Sequence, residues 1–574
     1  MTARRPAHIS ARLQDASSNR AGGPSVSAPR GGSGLGFAAL AALLGLMMLP
    51  LATIMVLGAT STTSVWSHLS GTVLPRALWQ TATLMLGVGA LTLVTGTATA
   101  WLVTMYRFPG RDLVDRLLIM PLAIPTYIVA YCYVELLDAT GPLQTLVRTL
   151  GGFETARQYW FPEIRSTGGA VFVMSAVLYP YVYLSARASF VQQSVCALEV
   201  ARTLGRTENG TLWAVALPMA RPALIAGVAL ALMECLNDIG AVEYLGVETL
   251  TATVYATWVE RESLGGAAQI ATVMLVFVFA LFTAERMSRG RAMFHHTTGR
   301  YRPISFARLE GVRGWLACAA CLTPFAVGFA VPMVVLIENA WTAGLGSLDG
   351  RFRGAVWSSL TLAALAALVT VAIGLVMAHI RRTARMPQLG AAIQLAGIGY
   401  AIPGTVLAIG LMIPLAALDI RIGDVAQSIF GITTGQVLAG TSLTLVIAYA
   451  IRFAAISFGT IDAGFQRISP NVDAAARTLG ETKFSTLARV HLPILLPALG
   501  AAALMVFVDT MKELPATLLL HPFNTETLAT MVYAKAAAFE FGEAAIAALA
   551  IVATGLLPVL LLHQTIARGR PGDI

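Results

Sequence analysis

Two short stretches of this chain repeat each other: E-V-A-R-T-L-G at Glu199–Gly205 and D-A-A-A-R-T-L-G at Asp473–Gly480. In both copies a proline, Pro218 or Pro493, follows the glycine by thirteen residues as part of a Leu-Pro pair. The two copies lie 275 residues apart. Agreement of both motif and spacing indicates a tandem duplication in which each half carries the same loop.

The residue types in this loop predict a short helix with defined ends. Glycine can adopt the left-handed conformation that terminates a helix, and proline fits the first turn of the helix that follows. An acidic residue near the N-terminus interacts favourably with the helix dipole. The candidate loop residues are Glu199, Ala201, Gly205 and Pro218 in the first copy and Asp473, Ala476, Gly480 and Pro493 in the second.

Composition places this duplication in a membrane. The chain has 574 residues, of which 56% are hydrophobic and 12% charged, and its mean hydropathy is +0.71. A soluble domain carries about 25% charged residues, and a membrane helix needs about 20 apolar residues. We therefore predict an all-α polytopic membrane protein with twelve spans, at 35–60, 78–104, 115–137, 168–188, 219–236, 267–284, 312–338, 355–380, 389–416, 434–458, 494–511 and 543–565.

Lysine and arginine predict the orientation. With a cytoplasmic N-terminus, most of the 39 Lys and Arg residues fall on the cytoplasmic side, as the positive-inside rule requires. Both termini and both repeated loops are then cytoplasmic. The net charge of +9 is spread over many loops, so nucleic-acid binding is not predicted. We expect residues 1–34, rich in Ser, Gly and Arg, to form a disordered cytoplasmic tail.

Further matches extend the duplication over most of the chain. Ala123-Ile124-Pro125 corresponds to Ala401-Ile402-Pro403, and both triplets lie inside long apolar runs. Prolines at these positions suggest broken helices that line a cavity. We predict two parallel six-span repeats at 35–284 and 315–574, joined by a basic cytoplasmic linker at 285–314.

The repeated loop resembles the E-A-A-x-x-x-G … I-x-L-P loop of permeases from binding-protein-dependent ABC importers. In that family the loop docks into a groove of the ATPase and transmits its closure. The resemblance implies an ABC ATPase homodimer and a periplasmic substrate-binding protein as partners, and a location in the bacterial inner membrane. The sequence has no G-x-x-x-x-G-K-[ST] phosphate loop. We therefore expect a transport subunit, not an enzyme, that binds no cofactor itself and leaves ATP and Mg to the partner ATPase.

The loops depart from the family pattern in detail. Val200 replaces an alanine in the first copy. In the second copy Ala474 stands where the family usually has glutamate, and Asp473 precedes it. We expect docking of the second copy to be weaker than that of the first, or to be carried by Asp473.

Four acidic residues near the ends of the spans after the loops are the candidate pathway residues. Glu234 and Asp238 align with Asp509 and Glu513 at the loop's offset of 275 residues. Each pair is spaced i, i+4 and shares a helical face. Ionisable groups in a span usually face a pathway, and carboxylates suit a hard cation. We predict that all four line the pathway and that Asp238 and Glu513 bind metal transiently. The alternatives are a structural pair of Asp509 with Lys512, or a position at the outer interface.

The same region indicates a branch of the family. K-E-L-P-A-T-L-L-L at Lys512–Leu520 and D-I-G-A-V-E-Y-L-G-V at Asp238–Val247 resemble the fused two-repeat permeases of ferric-iron importers. The resemblance implies Fe(III) delivered by the periplasmic binding protein. Thiamine, phosphonate or polyamine are alternative substrates for the same machinery. An ion-coupled secondary transporter with six-plus-six repeats is the alternative from another class, although it would have no use for two docking loops.

Overall fold

The computed structural model describes residues 33–61, 65–192, 207–290, 307–344, 348–383 and 398–568. Within these ranges eleven helices are long and apolar enough to cross a membrane, and a bent pair brings the number to twelve. The expected all-α architecture of about twelve spans is confirmed. Numbered along the chain, spans 1 to 6 are Ser33–Thr60, Trp66–Met105, the bent pair Arg111–Ala123 and Thr126–Gly151, Thr167–Gln192, Leu212–Asn237 and Leu264–Gly290. Spans 7 to 12 are Gly311–Ala343, Gly350–Thr383, Gly404–Phe430, Ser442–Gln466, Phe484–Met511 and Phe541–Arg568.

Short helices connect the spans. Those on the far side of the bundle from the repeated loops are Gly240–Tyr244 and Leu250–Val259 after span 5, and Pro515–Leu520 and Leu528–Ala537 after span 11. The helix Pro470–Thr478 precedes span 11, and we call its side of the bundle the loop face. Two two-residue strands, Tyr106–Arg107 and Ala307–Arg308, pair in parallel and attach the end of the linker to the loop after span 2.

The predicted breaks at Pro125 and Pro403 are present in both halves. Span 3 bends by 94° between Ala123 and Thr126, and the short helix Ile398–Ala401 is separated from span 9 at the equivalent place. The backbone angles φ and ψ are −59° and 143° at Pro125 and −57° and 142° at Pro403. The two breaks therefore have the same extended geometry and leave backbone polar groups that other side chains must satisfy.

Spans 5 and 11 begin earlier than predicted. They start at Leu212 and Phe484, whereas the predicted ranges were 219–236 and 494–511. A π-helical turn, Leu212–Ala216 in one half and Leu487–His491 in the other, directly precedes the Leu-Pro pair in each span. Proline lacks an N–H and crowds the preceding turn of a helix, and the wider π turn accommodates it without ending the helix. Pro218 and Pro493 consequently lie inside a continuous span, at the start of its α-helical part.

The first span of each half packs on both halves. Span 1 packs on span 6 of its own half and on span 9 of the other, and span 7 packs on span 12 and on the Thr126–Leu137 helix of span 3. Equivalent hydroxyls also cap equivalent helices: Thr81 accepts a hydrogen bond from the backbone N of Leu250, and Ser359 accepts one from Leu528. These matching contacts support two parallel repeats related by a pseudo-twofold axis.

The predicted domain boundaries are tested only at a few points. Residues 1–32 and 291–306, which hold most of the predicted tail and linker, lie outside the described residues. Span 6 continues as a helix to Gly290, six residues beyond the predicted end of the first repeat. The boundaries at 35, 285 and 315 otherwise stay predictions.

Candidate substrate pathway and coupling site

The structure describes the second of the two predicted loops but not the helix of the first. Glu199, Ala201 and Gly205 of the first loop lie outside the described residues. The second loop is described in full, and its helix Pro470–Thr478 begins after Ser469, whose side chain accepts a hydrogen bond from the backbone N of Asn471 at 3.3 Å.

Gly480 terminates the loop helix as the sequence predicts. Its φ of +81° lies in the left-handed region. The backbone N of Glu481 donates to the carbonyl of Ala476 at 3.0 Å, and the backbone N of Gly480 donates to that of Arg477 at 3.1 Å. This pair of bonds is the Schellman arrangement that caps helix C-termini, so the end of the loop is geometrically fixed.

One side of the loop helix packs inward and the other is exposed. Ala476 is buried against the bundle, and Ala474 is exposed. Two large apolar side chains are exposed nearby: Leu479, directly after the helix, is 83% exposed, and Phe484, at the start of span 11, is 78% exposed. Both side chains are therefore available for contact with another protein at the loop face.

Asp473 faces the bundle and not the exposed side of the helix. Its Oδ2 accepts hydrogen bonds from Arg382 Nη2 at 2.6 Å and from Nε at 3.0 Å, and its Oδ1 lies 2.7 Å from His491 Nε2. Arg382 also donates to the backbone carbonyls of Phe465 and Ile468. The contacts join the loop helix to spans 8 and 11. Burial raises the pKa of the Asp473 carboxyl, but the hydrogen bonds and charge of Arg382, with His491, outweigh this and hold the pKa below its ordinary value.

All four predicted pathway acids line one cavity of about 90 Å³ between the two halves. The cavity lies where spans 5 and 11 end and where the breaks at Pro125 and Pro403 bring irregular backbone into the bundle. Its lining also includes Thr126, Tyr127, Tyr181, Asn237, Tyr400, Arg452, Phe453 and Lys512. The structure thus brings Glu234, Asp238, Asp509 and Glu513 together as the alignment of the two halves predicts.

Asp238 and Glu513 have equivalent capping roles. Asp238 accepts hydrogen bonds from the backbone N of Ala241, at 2.9 Å, and from the hydroxyl of Thr126. Glu513 accepts hydrogen bonds from the backbone N of Ala516 at 2.9 Å and from the backbone N and hydroxyl of Thr517 at 3.0 and 2.6 Å. Each carboxylate thus satisfies the start of the short helix that follows its span.

Glu234 and Asp509 have partners of a different kind. Glu234 accepts a hydrogen bond from the Tyr400 hydroxyl of the opposite half at 2.5 Å. Asp509 forms an ion pair with Lys512 at 2.9 Å, as the structural alternative predicted. Side-chain partners can rearrange around a passing substrate, whereas the backbone caps of Asp238 and Glu513 are fixed by the fold. Among the residues described, no group of three His, Cys, Asp or Glu side chains is arranged to hold a metal ion.

Arg452 is a cavity residue that the sequence reasoning missed. It lies in span 10, is 4% exposed, and donates from Nη1 to Asn237 Oδ1 at 2.9 Å and to the Ile402 carbonyl at 3.4 Å. Asn237 Oδ1 also accepts from the backbone N of Gly404 at 2.7 Å, so both side chains satisfy the break in span 9. The signal was available, because Arg452 is an ionisable residue within the predicted span 434–458.

A second cavity, of about 600 Å³, lies on the loop-face side of the first. Its lining is mostly apolar and includes residues that precede the acids along spans 5 and 11, such as Met233 and Val508. The two cavities share five lining residues: Leu122, Tyr181, Tyr400, Asp509 and Lys512. These shared residues form a partition between a small polar chamber and a larger apolar one.

Comparison with known proteins defines the class. Residues 92–291 match the family model described as binding-protein-dependent transport system inner membrane component. A stretch of 202 residues is 30% identical to the sulfate transport system permease protein CysT of Salmonella typhimurium and covers 35% of this chain and 69% of that protein. The chain belongs to the family of inner membrane components of binding-protein-dependent transport systems, which are the permeases of ABC importers.

One further match extends over most of the chain, and another covers about a third of it. The chain is 25% identical over 492 residues to the Fe(3+)-transport system permease protein FbpB 2 of Haemophilus influenzae, covering 83% of this chain and 87% of that protein. It is 27% identical over 202 residues to a putative 2-aminoethylphosphonate transport system permease of Salmonella choleraesuis, covering 35% of this chain and 70% of that protein. The protein is therefore a fused two-repeat permease that resembles the ferric-iron branch.

Proposed function

We propose that this chain passes ferric iron from a periplasmic binding protein to the cytoplasm, driven by ATP hydrolysis in a separate ATPase dimer. The observation that carries the proposal is the polar cavity between the halves, where four carboxylates from equivalent positions converge. The similarity to a ferric-iron permease over 83% of the chain supports iron as the substrate.

The exposed side of the second loop is the proposed docking site for one ATPase subunit. Leu479 and Phe484 supply apolar contact area, and the cap at Gly480 holds them in place. The first loop, with Glu199, Ala201 and Gly205, docks on the other subunit of the dimer. ATP and Mg are bound by that partner, and the permease itself needs no cofactor.

The proposed orientation places both termini and both loops in the cytoplasm of a bacterial cell, with the chain spanning the inner membrane. The short helices after spans 5 and 11, whose starts Asp238 and Glu513 cap, then lie on the periplasmic side of the cavity. The larger apolar cavity lies on the cytoplasmic side of the acids. ATPase closure at the loop face would shift spans 5 and 11, which carry both a docking segment at one end and the pathway acids at the other.

Uptake measurements in a deletion strain test the substrate. We expect the wild-type gene, expressed with its ATPase and binding protein, to restore uptake of radiolabelled ferric iron. The combined Glu234→Gln and Asp509→Asn variant should lose most of that uptake while inserting and docking normally. Asp424→Asn, a change at an exposed carboxylate of span 9, is the matched control. Unchanged iron uptake in the double variant would remove the pathway assignment.

Alternative substrates are compared in the same strain. Arg452 and Lys512 line the cavity together with the acids, and relatives are named for sulfate and 2-aminoethylphosphonate transport. Restoration of phosphonate or sulfate uptake without iron uptake would reassign the substrate within the family. Thiamine and a polyamine belong in the same comparison. Uptake that persists without the ATPase and requires a proton gradient would favour a secondary transporter.

A further inference from the structure

Arg452 is a buried cation whose charge is not matched by a described carboxylate. The side chain is 4% exposed, and within the described ranges it forms no ion pair. Its Nη1 bonds are to neutral oxygens of Asn237 and Ile402, and its Nε has no hydrogen-bond acceptor among the described residues. Burying a guanidinium without a counter-charge is costly, so the site is favourable for an added anionic group.

The acids of the same cavity already have partners. Asp238 and Glu513 accept hydrogen bonds from backbone N–H groups and threonine hydroxyls. Asp509 is paired with Lys512, and Glu234 accepts from Tyr400. None of these four acids forms an ion pair with Arg452, although four carboxylates against Arg452 and Lys512 give the cavity a net negative formal charge.

A second donor in the cavity lining also lacks a partner. Tyr127 is 7% exposed, and its hydroxyl has no hydrogen-bond partner in the described part of the chain. A buried hydroxyl without a partner is uncommon and calls for an explanation. The Arg452 Nε–H is a hydrogen-bond donor and the Tyr127 hydroxyl can donate or accept, so both groups can bond to an anionic oxygen.

We infer that the cavity binds an anionic oxygen group, an oxyanion or a carboxylate, through Arg452 and Tyr127. Guanidinium is the side chain best suited to such groups because its planar donors match their oxygens. The inference rests on the proposed function in placing the substrate in this cavity. It deepens that function by making the transported species a metal ion that carries oxyanion or carboxylate ligands. In such a complex the metal ion would face the carboxylates of the cavity, and its anionic ligands would face Arg452.

Binding of the anion alone is the direct test. The full chain, purified in detergent with its ATPase, is titrated with sodium phosphate, sodium sulfate and sodium citrate without iron, at ionic strength fixed by sodium chloride. Thermal unfolding and calorimetry report binding. We expect saturable binding of at least one of the three anions, weakened at least ~10-fold in Arg452→Gln, since hydrogen bonds to charged groups are the stronger ones.

Further variants separate binding from folding. Tyr127→Phe removes only the hydroxyl and should weaken anion binding by a few-fold, and Arg452→Lys should retain part of it. Arg421→Gln, at an exposed arginine of span 9, should bind as the wild type does. Wild-type protein that binds none of the anions, or equal binding by wild type, Arg452→Lys and Tyr127→Phe, overturns the inference.

The result is distinguishable from a failure of the iron proposal. Saturable anion binding in a protein that restores no iron uptake upholds the anion subsite and removes iron as the substrate. Restored iron uptake with no anion binding removes the subsite and leaves iron in place. Ferric citrate uptake compared between Arg452→Gln and Arg421→Gln then measures how far transport depends on the subsite.

Discussion

Replacing Asp473 by alanine should release the second loop helix from the bundle. The change removes the carboxylate that Arg382 contacts at 2.6 and 3.0 Å and that lies 2.7 Å from His491. Arg382 keeps its bonds to the carbonyls of Phe465 and Ile468, so the bundle itself should stay folded. The loss of stability is expected at the loop helix.

The expected loss of stability at the loop helix follows from how deeply Asp473 and its two partners are buried. The Asp473 and Arg382 side chains are 24% and 15% exposed, and that of His491 is 1% exposed. Breaking a fully buried ion pair costs about 3–5 kcal/mol, whereas an exposed pair contributes about 0–1 kcal/mol. We expect an intermediate loss of about 1–3 kcal/mol in the free energy that holds the loop helix. Such a coupling corresponds to roughly 5- to 150-fold in affinity.

The assay is binding of the purified ATPase to the permease in nanodiscs, together with ATPase stimulation by the loaded binding protein. Asp473→Ala should weaken docking within that range and reduce stimulation in parallel. Asp462→Ala is the matched control, because Asp462 pairs with Arg381 at 3.1 Å in the neighbouring turn and lies outside the loop helix. Normal docking in Asp473→Ala, or an equal loss in both variants, would refute a positioning role.

The pH dependence of docking has a defined sign. The pKa of Asp473 is lower in the folded protein than its ordinary value, and the unfolded value is about 3.9. The contribution of the carboxylate is therefore fully present above the unfolded pKa and is lost as the pH falls through the folded pKa. Asp473 should therefore be ionised at both pH 8 and pH 5, and ATPase binding measured at either pH should be weaker in Asp473→Ala than in the wild type.

Three further predictions concern the loop and the caps. Gly480→Ala forces a side chain into the left-handed region and should destabilise the loop end by about 1–2 kcal/mol, lowering ATPase affinity while insertion is unchanged. Leu479→Asp with Phe484→Asp should abolish docking at the second loop without changing thermal stability, and normal ATPase stimulation would contradict the proposed surface. Asp238→Asn with Glu513→Gln should lower the thermal unfolding temperature and the expression level, because both carboxylates cap helices. Transport per folded molecule should change less. A stable double variant with a specific transport defect would instead assign both carboxylates to the pathway.

The span pattern and the convergence of the acids were predictable from the sequence. Apolar runs are long enough to mark each span, and the duplication aligns Glu234 with Asp509 without any structural information. The breaks were predictable too, because Pro125 and Pro403 occur at equivalent places in apolar runs. These features depend on residue type and spacing along the chain, which the sequence contains directly.

Which of the four acids cap helices and which have only side-chain partners was not predictable from the sequence. Whether Asp238 faces a substrate or a helix N-terminus depends on the turn after span 5, where Ala241 and Thr126 become its partners. The start of span 11 was misplaced because a π turn carries Pro493 inside a helix, and sequence rules treat proline as a boundary. Arg452 was overlooked because a single cation in a span has no equivalent in the other half to draw attention to it.

The packing of span 1 on the second half constrains how the protein is assembled during synthesis. Span 1 packs on span 9, so the first half emerges from the ribosome with one of its surfaces lacking the neighbour it will finally have. The exposed surface of span 1 stays in contact with lipid while more than 300 residues beyond Thr60 are made, because span 9 begins only at Gly404. Fusion of the two halves in one polypeptide guarantees that the missing neighbour arrives in the same membrane and in equal number, and ties the maturation of the first repeat to completion of the second.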